Sequence, residues 1–262
     1  MPQTLGLIGS GNIGSALARL AVAAGLDVVL SNSRGPETLA ELVAELGEQS
    51  RAATSAEAAQ AGDLVVVTVP LNAYDQLPAA TLAGKTVIDT TNYYPDRDGH
   101  IGELDAGILT SSALMQRHLA NSHLVKAFNS IDFVRLFTLA RPSGAPDRSA
   151  LPTAGNDAAA KTHVAQLLDT LGYDAVDIGT LSDSWRSEPG TPVYVQPYLP
   201  ARPEGMSEEE AYRWFTDAPG ASVSASRVKE LAGTAVRRPA GDARATLGKT
   251  LSTALEKALA KD

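Results

Sequence analysis

The chain has 262 residues, a formal net charge of -8, and 44% hydrophobic against 20% charged residues. That is enough apolar material for one large α/β domain with an appendage, or for two modest domains. The acidic balance argues against a nucleic-acid binder, whose footprint is a basic surface, and the absence of cysteine excludes disulfides, thiolate nucleophiles and Cys-ligated zinc.

No apolar run approaches the ~20 residues that span a bilayer, and the first strand begins too early to leave room for a signal peptide. The expectation is a cytoplasmic protein without a membrane partner. Residues 5–8 read as a buried strand. Gly9, Gly11 and Gly14 follow directly, and Ala16, Leu17 and Leu20 then recur at helical spacing. This is the G-x-G-x-x-G dinucleotide fingerprint in its required order of strand, turn and helix. Gly9 permits the tight turn, Gly11 the approach of backbone to pyrophosphate, and Gly14 close helix–strand packing. The pyrophosphate would sit on the free N–H groups of the helix N-terminus. That helix is predicted over 12–24 with Gly25 as its stop, and a second strand over 26–30.

At the end of the second strand an NAD site would place Asp or Glu. The chain instead offers Ser31, Asn32, Ser33 and Arg34, hydroxyls and a guanidinium suited to a 2′-phosphate. The cofactor read from this loop is NADP(H); a polar loop whose arginine merely caps the strand is the alternative. Pro36 and Glu37 start a second helix that Gly47 ends, and an alanine-rich helix over 52–61 is closed by Gly62. Residues 64–69 (LVVVTV) and 85–89 (KTVID) read as strands buried on both faces. The first stops at Pro70, and the second empties into Thr90, Thr91, Asn92, Tyr93 and Tyr94. Strands alternating with helices imply an α/β fold with a Rossmann-type, doubly wound and mostly parallel sheet, its ligands at the C-terminal strand ends. Val69, Pro70, Leu71, Asn92 and Tyr93 would then border the nicotinamide end of the groove.

Residues 96–107 form a polar loop too long for a minimal connection, readable as a lid or as a solvated insertion. His100 within it is a candidate proton donor or an ordinary loop histidine. A helix over 112–119 and a strand over 124–128 follow, the strand emptying into Asn129 and Ser130. A linker over 141–148, a strand over 150–154, a long helix capped by Gly155, Asn156 and Asp157, and a last strand over 173–178 complete an NADP-binding domain of residues 1–181. Residues 182–262 read as a C-terminal extension. Its aromatic and proline-rich part, 184–203, with Trp185, Tyr194 and Tyr198, is expected to wrap a surface in extended form. Ser207 and Glu210 make a capping box for a helix carrying Tyr212, Trp214 and Phe215. A final helix presents Leu247, Leu251, Leu255 and Leu259 as one stripe, to be covered by its own domain or in a homodimer.

These motifs resemble the NADPH-dependent reductases of the deazaflavin coenzyme F420. The matching segments are LIGSGNIGSALA (7–18), NSR (32–34), VVTVP (66–70), and AGNDAAAK (154–161) with the following VDIG. KAFNSI (126–131) is similar to the variant in membrane metalloreductases that carry a related cytosolic domain. The resemblance covers residues 5–181. It implies that Ser10, Asn12 and Ile13 contact the phosphates, and Ser33 and Arg34 the 2′-phosphate. Asn129 stands where deazaflavin reductases often place a histidine beside the acceptor; with Tyr93, Ser130 and Trp185 it makes the expected acceptor-binding set. The chemistry implied is direct hydride transfer between nicotinamide C4 and the flat ring of a small redox acceptor, coenzyme F420 or FMN. Such transfer needs positioning rather than a nucleophile or a metal, so no catalytic residue and no metal ligand is expected. Lys126, the one strand-end lysine that could mimic the active-site lysine of hydroxyacid dehydrogenases, reads as structural or phosphate-proximal. Two other readings stay open: a reductase of a small carbonyl or imine compound, with Tyr93, Tyr94 or His100 donating the proton, and a regulatory module that binds NADP(H) without turning it over.

Overall fold

The computed structural model describes residues 3–238; the leucine stripe over 247–259 lies outside them. Eight strands, β1 (Thr4–Ile8), β2 (Asp27–Ser31), β3 (Ser50–Ala52), β4 (Leu64–Val67), β5 (Thr86–Asp89), β6 (His123–Lys126), β7 (Ala150–Gly155) and β8 (Asp174–Asp177), form one sheet in the order β3-β2-β1-β4-β5-β6-β7-β8. All pairings from β3 to β6 are parallel. β7 runs antiparallel to β6, and β8 parallel to β7. The strand order reverses between β1 and β4, so a crevice opens there at the C-terminal strand ends. The expected doubly wound, mostly parallel fold is present.

The helices are α1 (Asn12–Ala23), α2 (Ala40–Leu46), α3 (Ser55–Ala61), α4 (Ala79–Leu82), α5 (Pro95–Asp98), α6 (Gly102–Asp105), α7 (Ser111–His118), α8 (Phe133–Thr138), α9 (Ala158–Thr170), α10 (Glu208–Asp217) and α11 (Ala225–Gly233). Period-two alternation of the strands sorts them onto two faces. Leu5, Leu7, Leu64 and Val66 meet Leu17 and Leu20 of α1, Leu136 of α8, Val164 of α9 and Val228 of α11. Ile8, Val65 and Val67 point the other way, to Ala59 of α3, Leu82 of α4, and Leu114 and Met115 of α7. Each such buried Val or Leu contributes about 1.5–3 kcal/mol relative to exposure.

Three segments differ from the sequence expectation. The alanine-rich helix begins at Ser55, not at residue 52, because Thr54 and Glu57 close a reciprocal capping box. Residues 50–52 before it pair with β2 as an edge strand. The 96–107 loop contains two single-turn helices, α5 and α6. Residues 184–203 do not wrap the surface in extended form. They fold into 3-10 turns, Leu181–Ser187 and Gln196–Tyr198, and Val193, Tyr194, Val195 and Tyr198 are buried. The tyrosine hydroxyls find internal partners: Tyr198 donates to the Ala150 carbonyl at 2.9 Å, and Tyr194 shares a hydrogen bond with Tyr94.

One buried cation joins α10 of the extension to α8. Asp132 caps α8, its carboxylate accepting the N–H groups of Val134 and Arg135 at 3.0 and 3.1 Å. Arg135 lies 3.3 Å from the same oxygen, donates to the Phe215 carbonyl in the last turn of α10, and stacks 4.8 Å from the Phe215 ring. A cation at a helix C-terminus is placed favourably against the macrodipole. Burial pushes the Asp132 carboxyl up, against the pull of Arg135 and the two N–H groups. Arg135→Met should therefore cost about 3–5 kcal/mol, since it strands Asp132 in the core. Urea unfolding measures this, and a loss under about 1 kcal/mol would show that α10 does not depend on the pair.

Candidate functional site

The glycine turn follows from three contacts at the end of β1. The Gly9 N–H donates to the Ser31 carbonyl at 3.0 Å, the Thr68 N–H to the Ile8 carbonyl at 2.8 Å, and the Thr68 hydroxyl to the Gly9 carbonyl at 2.6 Å. Gly9 has φ +105°, and a Cβ there would lie 2.7 Å from the Thr68 carbonyl oxygen. A Cβ on Gly14 would lie 2.2 Å from the Gly9 carbonyl oxygen, so only glycine lets α1 seat this closely. Gly11 is the N-cap of α1, and no side chain caps that end. First-turn N–H groups, which a helix does not satisfy internally, are donors of the kind that suits an anion. Ser10 donates to the Ser31 carbonyl at 2.9 Å, its oxygen still able to accept. Ile13 is half-buried and packs on the core.

At the end of β2, Ser31 is wholly buried and donates to the Leu7 carbonyl at 2.9 Å, which knits β1 to β2. Asn32 folds the loop: its Oδ1 accepts the Arg34 and Gly35 N–H groups, both at 3.0 Å, and its Nδ2 donates to Thr38 at 2.8 Å. This turn presents Ser33 and Arg34 at the surface. Glu37, the sole acid in residues 31–37, is exposed on the next turn.

On the opposite side of the crevice, Val69 is half-buried and Pro70 exposed just past β4. Leu71 is wholly buried in the core, so its side chain is not available to a cofactor. Asn92 and Asn129 form a reciprocal pair: Asn92 Nδ2 donates to the Asn129 carbonyl at 2.9 Å, and Asn129 Nδ2 to Asn92 Oδ1 at 3.1 Å. A strap, residues 180–191, then closes over Asn129. The Ser187 carbonyl accepts from Asn129 Nδ2 at 2.8 Å and the Ser187 hydroxyl donates to Asn129 Oδ1 at 3.2 Å. Both ends of the Asn129 amide are spent inside the protein, and Ser130 is fully buried. Neither side chain faces an open acceptor groove. Tyr93 is buried too, and its hydroxyl binds Asp105 at 2.7 Å, the Gly99 carbonyl at 3.1 Å and the Ile101 N–H at 2.9 Å. Its role here is to pin the 99–105 loop. Burial pushes its hydroxyl pKa up, against the Ile101 N–H. His100 is largely exposed, 3.0 Å from Asp105.

Trp185 of the strap is half-buried, with Arg186 and Arg237 over its ring at 4.6 and 5.9 Å. It borders a cavity of about 20 Å³ shared with Tyr93, Ser111, Glu188 and Thr191, large enough for about one water. The two non-glycine residues with positive φ among the described residues, Phe128 at 62° and Val195 at 54°, both meet this region. Phe128 precedes Asn129. Val195 sits in a γ-turn closed by Gln196 N–H on the Tyr194 carbonyl, and its own N–H donates to the Ser130 carbonyl at 2.8 Å. Strained backbone of this kind persists where surrounding contacts over-determine it.

Beneath the strap lies a buried polar set of which the sequence reading picked out Lys126 alone, as structural or phosphate-proximal, without its partners. Asp89 ends β5 and Lys126 ends β6, 3.2 Å apart and both fully buried. Ser112 donates to Asp89 at 2.6 Å, Lys126 reaches Ser111 at 3.1 Å, and Ser111 donates to Glu188 at 2.6 Å. The only signal in the sequence was a charged residue closing each of two apolar strands. Among the described residues no group of His, Cys, Asp or Glu could hold a metal ion, and no helix is long and apolar enough to cross a membrane.

Residues 4–93 match the model of the family described as NADP oxidoreductase, coenzyme F420-dependent. Among solved structures the chain is similar to a hypothetical protein from Sinorhizobium meliloti, 29% identical with a TM-score of 0.65, over 74% of this chain and 93% of that one. It is also similar to an Arthrobacter protein whose naming as an F420-dependent NADP reductase is provisional, 24% identical with a TM-score of 0.59, over 70% and 86% of the two chains. No curated protein matches the chain. The motif resemblance is thus met in the segment that carries the glycine turn and the NSR loop, and the structural neighbours share the fold.

The strap is anchored at its start by Thr180 and Asp183, whose carboxylate accepts the Thr180 N–H at 2.9 Å and hydroxyl at 2.8 Å. The N–H first, and the hydroxyl second, hold the Asp183 carboxyl below its ordinary range. With the folded value depressed, this contribution to stability is complete above about 3.9 and is lost as pH falls through the folded value. Carboxyl NMR titration should show Asp183 below that ordinary value and Thr180→Val moving it part of the way back. An unmoved titration in the variant would contradict the cap.

Proposed function

We propose that this protein is an NADP(H)-dependent oxidoreductase that passes hydride between nicotinamide C4 and a deazaflavin or flavin acceptor. The observation that carries the cofactor half is the pairing of an uncapped α1 N-terminus with a β2 loop that presents Ser33 and Arg34 and no carboxylate at the strand end. Gly9, Gly11 and Gly14, with Ser10, Asn12 and Ile13, would take the pyrophosphate. Asn32, Ser33 and Arg34 would take the adenosine end, the guanidinium making charge-assisted bonds to the 2′-phosphate. The family match over residues 4–93 supports the same reading. NADP(H) supplies the hydride chemistry; the chain's residues bind, orient and exclude water. Val69, Pro70 and Asn92 would frame the nicotinamide. Trp185 and the strap would form the far wall of the acceptor site, and Asn129 would act through Asn92 rather than by touching the acceptor.

A second reading, reduction of a small carbonyl or imine compound, is favoured by the strap, which closes over Asn129 and leaves little room for a flat tricyclic ring there. Against it, the hydroxyls of Tyr93 and Tyr94 are both engaged with protein groups. NADPH oxidation, followed by loss of its nicotinamide absorbance with coenzyme F420, FMN and a small imine offered in parallel, separates the two. Turnover with F420 or FMN supports the first reading and turnover with the imine alone the second. No turnover alongside NADPH binding would leave a regulatory module.

Arg34→Ala should weaken NADPH binding roughly 10- to 100-fold, the worth of one charge-assisted bond, and leave NADH within about twofold. Calorimetric titration of both cofactors checks this. Equal losses would place the 2′-phosphate elsewhere.

A further inference from the structure

We propose that the Asp89–Lys126 ion pair is a positioning device that fixes the nicotinamide half of the cofactor site and couples it to the strap. The inference rests on the reading that places the nicotinamide beside Asn92.

The pair holds both peptide groups of Thr91. The Thr91 N–H donates to Asp89 Oδ1 at 2.8 Å, and its carbonyl accepts from Lys126 Nζ. The Thr91 hydroxyl is buried and makes no hydrogen bond, so what is held is the backbone. Asn92 follows at once, and its amide orientation is set by Asn129. A second arm leaves the same ammonium: Lys126 to Ser111 at 3.1 Å, and Ser111 to Glu188 at 2.6 Å. Glu188 lies beside Ser187, which grips Asn129. One buried cation therefore touches the floor, through Thr91, and the strap, through Ser111 and Glu188.

A packed apolar pair would join β5 to β6 at least as well, because two charges at full burial carry a heavy desolvation cost. What an apolar pair cannot do is hold the Thr91 carbonyl and the Ser111 hydroxyl at fixed distances. The polar pair is thus suited to geometry rather than to strand cohesion.

The test compares two ligands on three proteins. NADPH fills the whole site, whereas adenosine 2′,5′-bisphosphate fills only the adenosine half. Both are titrated calorimetrically into the wild type, Lys126→Met, and the double variant Asp89→Leu with Lys126→Met. The single variant leaves the Asp89 carboxylate buried without its cation and is expected to melt lower. The double variant removes that burden, restores most of the stability, and keeps the measurement open if the single variant does not fold. Both are expected to bind NADPH roughly 3- to 10-fold more weakly, the worth of about one hydrogen bond, with the bisphosphate within about twofold of the wild type. Wild-type NADPH affinity in the folded double variant would overturn the proposal, as would parallel loss of both ligands, which is the mark of a purely structural pair. A wild type that binds the bisphosphate but gains nothing from the nicotinamide half would overturn the placement at Asn92, and the proposal with it.

Discussion

Helix α1 seats against the end of β1 at a distance that leaves no room for a single Cβ at residue 14. Much else at the C-terminal edge of the sheet follows from that close approach. It aims the uncapped N-terminus of α1 into the crevice where the strand order reverses, and a helix N-terminus so placed attracts an anion. It also brings the Gly9 carbonyl onto the Thr68 hydroxyl and the Gly9 N–H onto the Ser31 carbonyl. The ends of β1, β2 and β4 are locked together by these hydrogen bonds, and the loop carrying Ser33 and Arg34 leaves from that fixed point.

The other side of the crevice is organised differently, by buried polar groups instead of tight backbone packing. Asp89 and Lys126 end strands whose middle residues, Val87 and Ile88 in β5 and Leu124 and Val125 in β6, are apolar and buried. Each charge there has the other as partner and further hydrogen bonds besides, as a buried pair must if its desolvation is to be offset. The strap completes this layer through Ser187 and Glu188. The extension is consequently not an appendage laid over a finished domain. Val193, Tyr198, Val223, Val228 and Leu231 belong to the same hydrophobic cluster as α1 and β1, and the Val223 carbonyl accepts from the N–H of Ala150 in β7.

Much of the nucleotide half was legible in the sequence because its determinants are local. Gly9 to Gly14 lie within one turn, the strands around it are short apolar runs, and the polar loop follows directly. The edge strand β3 was not legible, since three residues with an exposed arginine at the centre carry no apolar pattern. Nor was the antiparallel direction of β7, because a strand buried on both faces reads the same in either sense. Across the crevice the fault was of another kind. Tyr93, Asn129, Ser130 and Leu71 were read from their place at strand ends as facing a ligand, and the structure turns them inward. Asn129 meets Ser187, 58 residues away, and Ser111 meets Glu188, 77 residues away. No spacing rule spans such intervals. A buried charge at the end of an apolar strand, as at Asp89, is the one local hint that a distant partner exists.

The central claim is that the β2 loop receives a 2′-phosphate. Phosphorus NMR of bound NADP+ tests it most directly. In solution the last proton of a phosphate monoester leaves near pH 6. Held by the Arg34 guanidinium and the Ser33 hydroxyl, the dianion is favoured, and the 2′-phosphate resonance should titrate about one unit or more lower when bound. A bound 2′-phosphate that titrates as it does in free NADP+ would contradict the account.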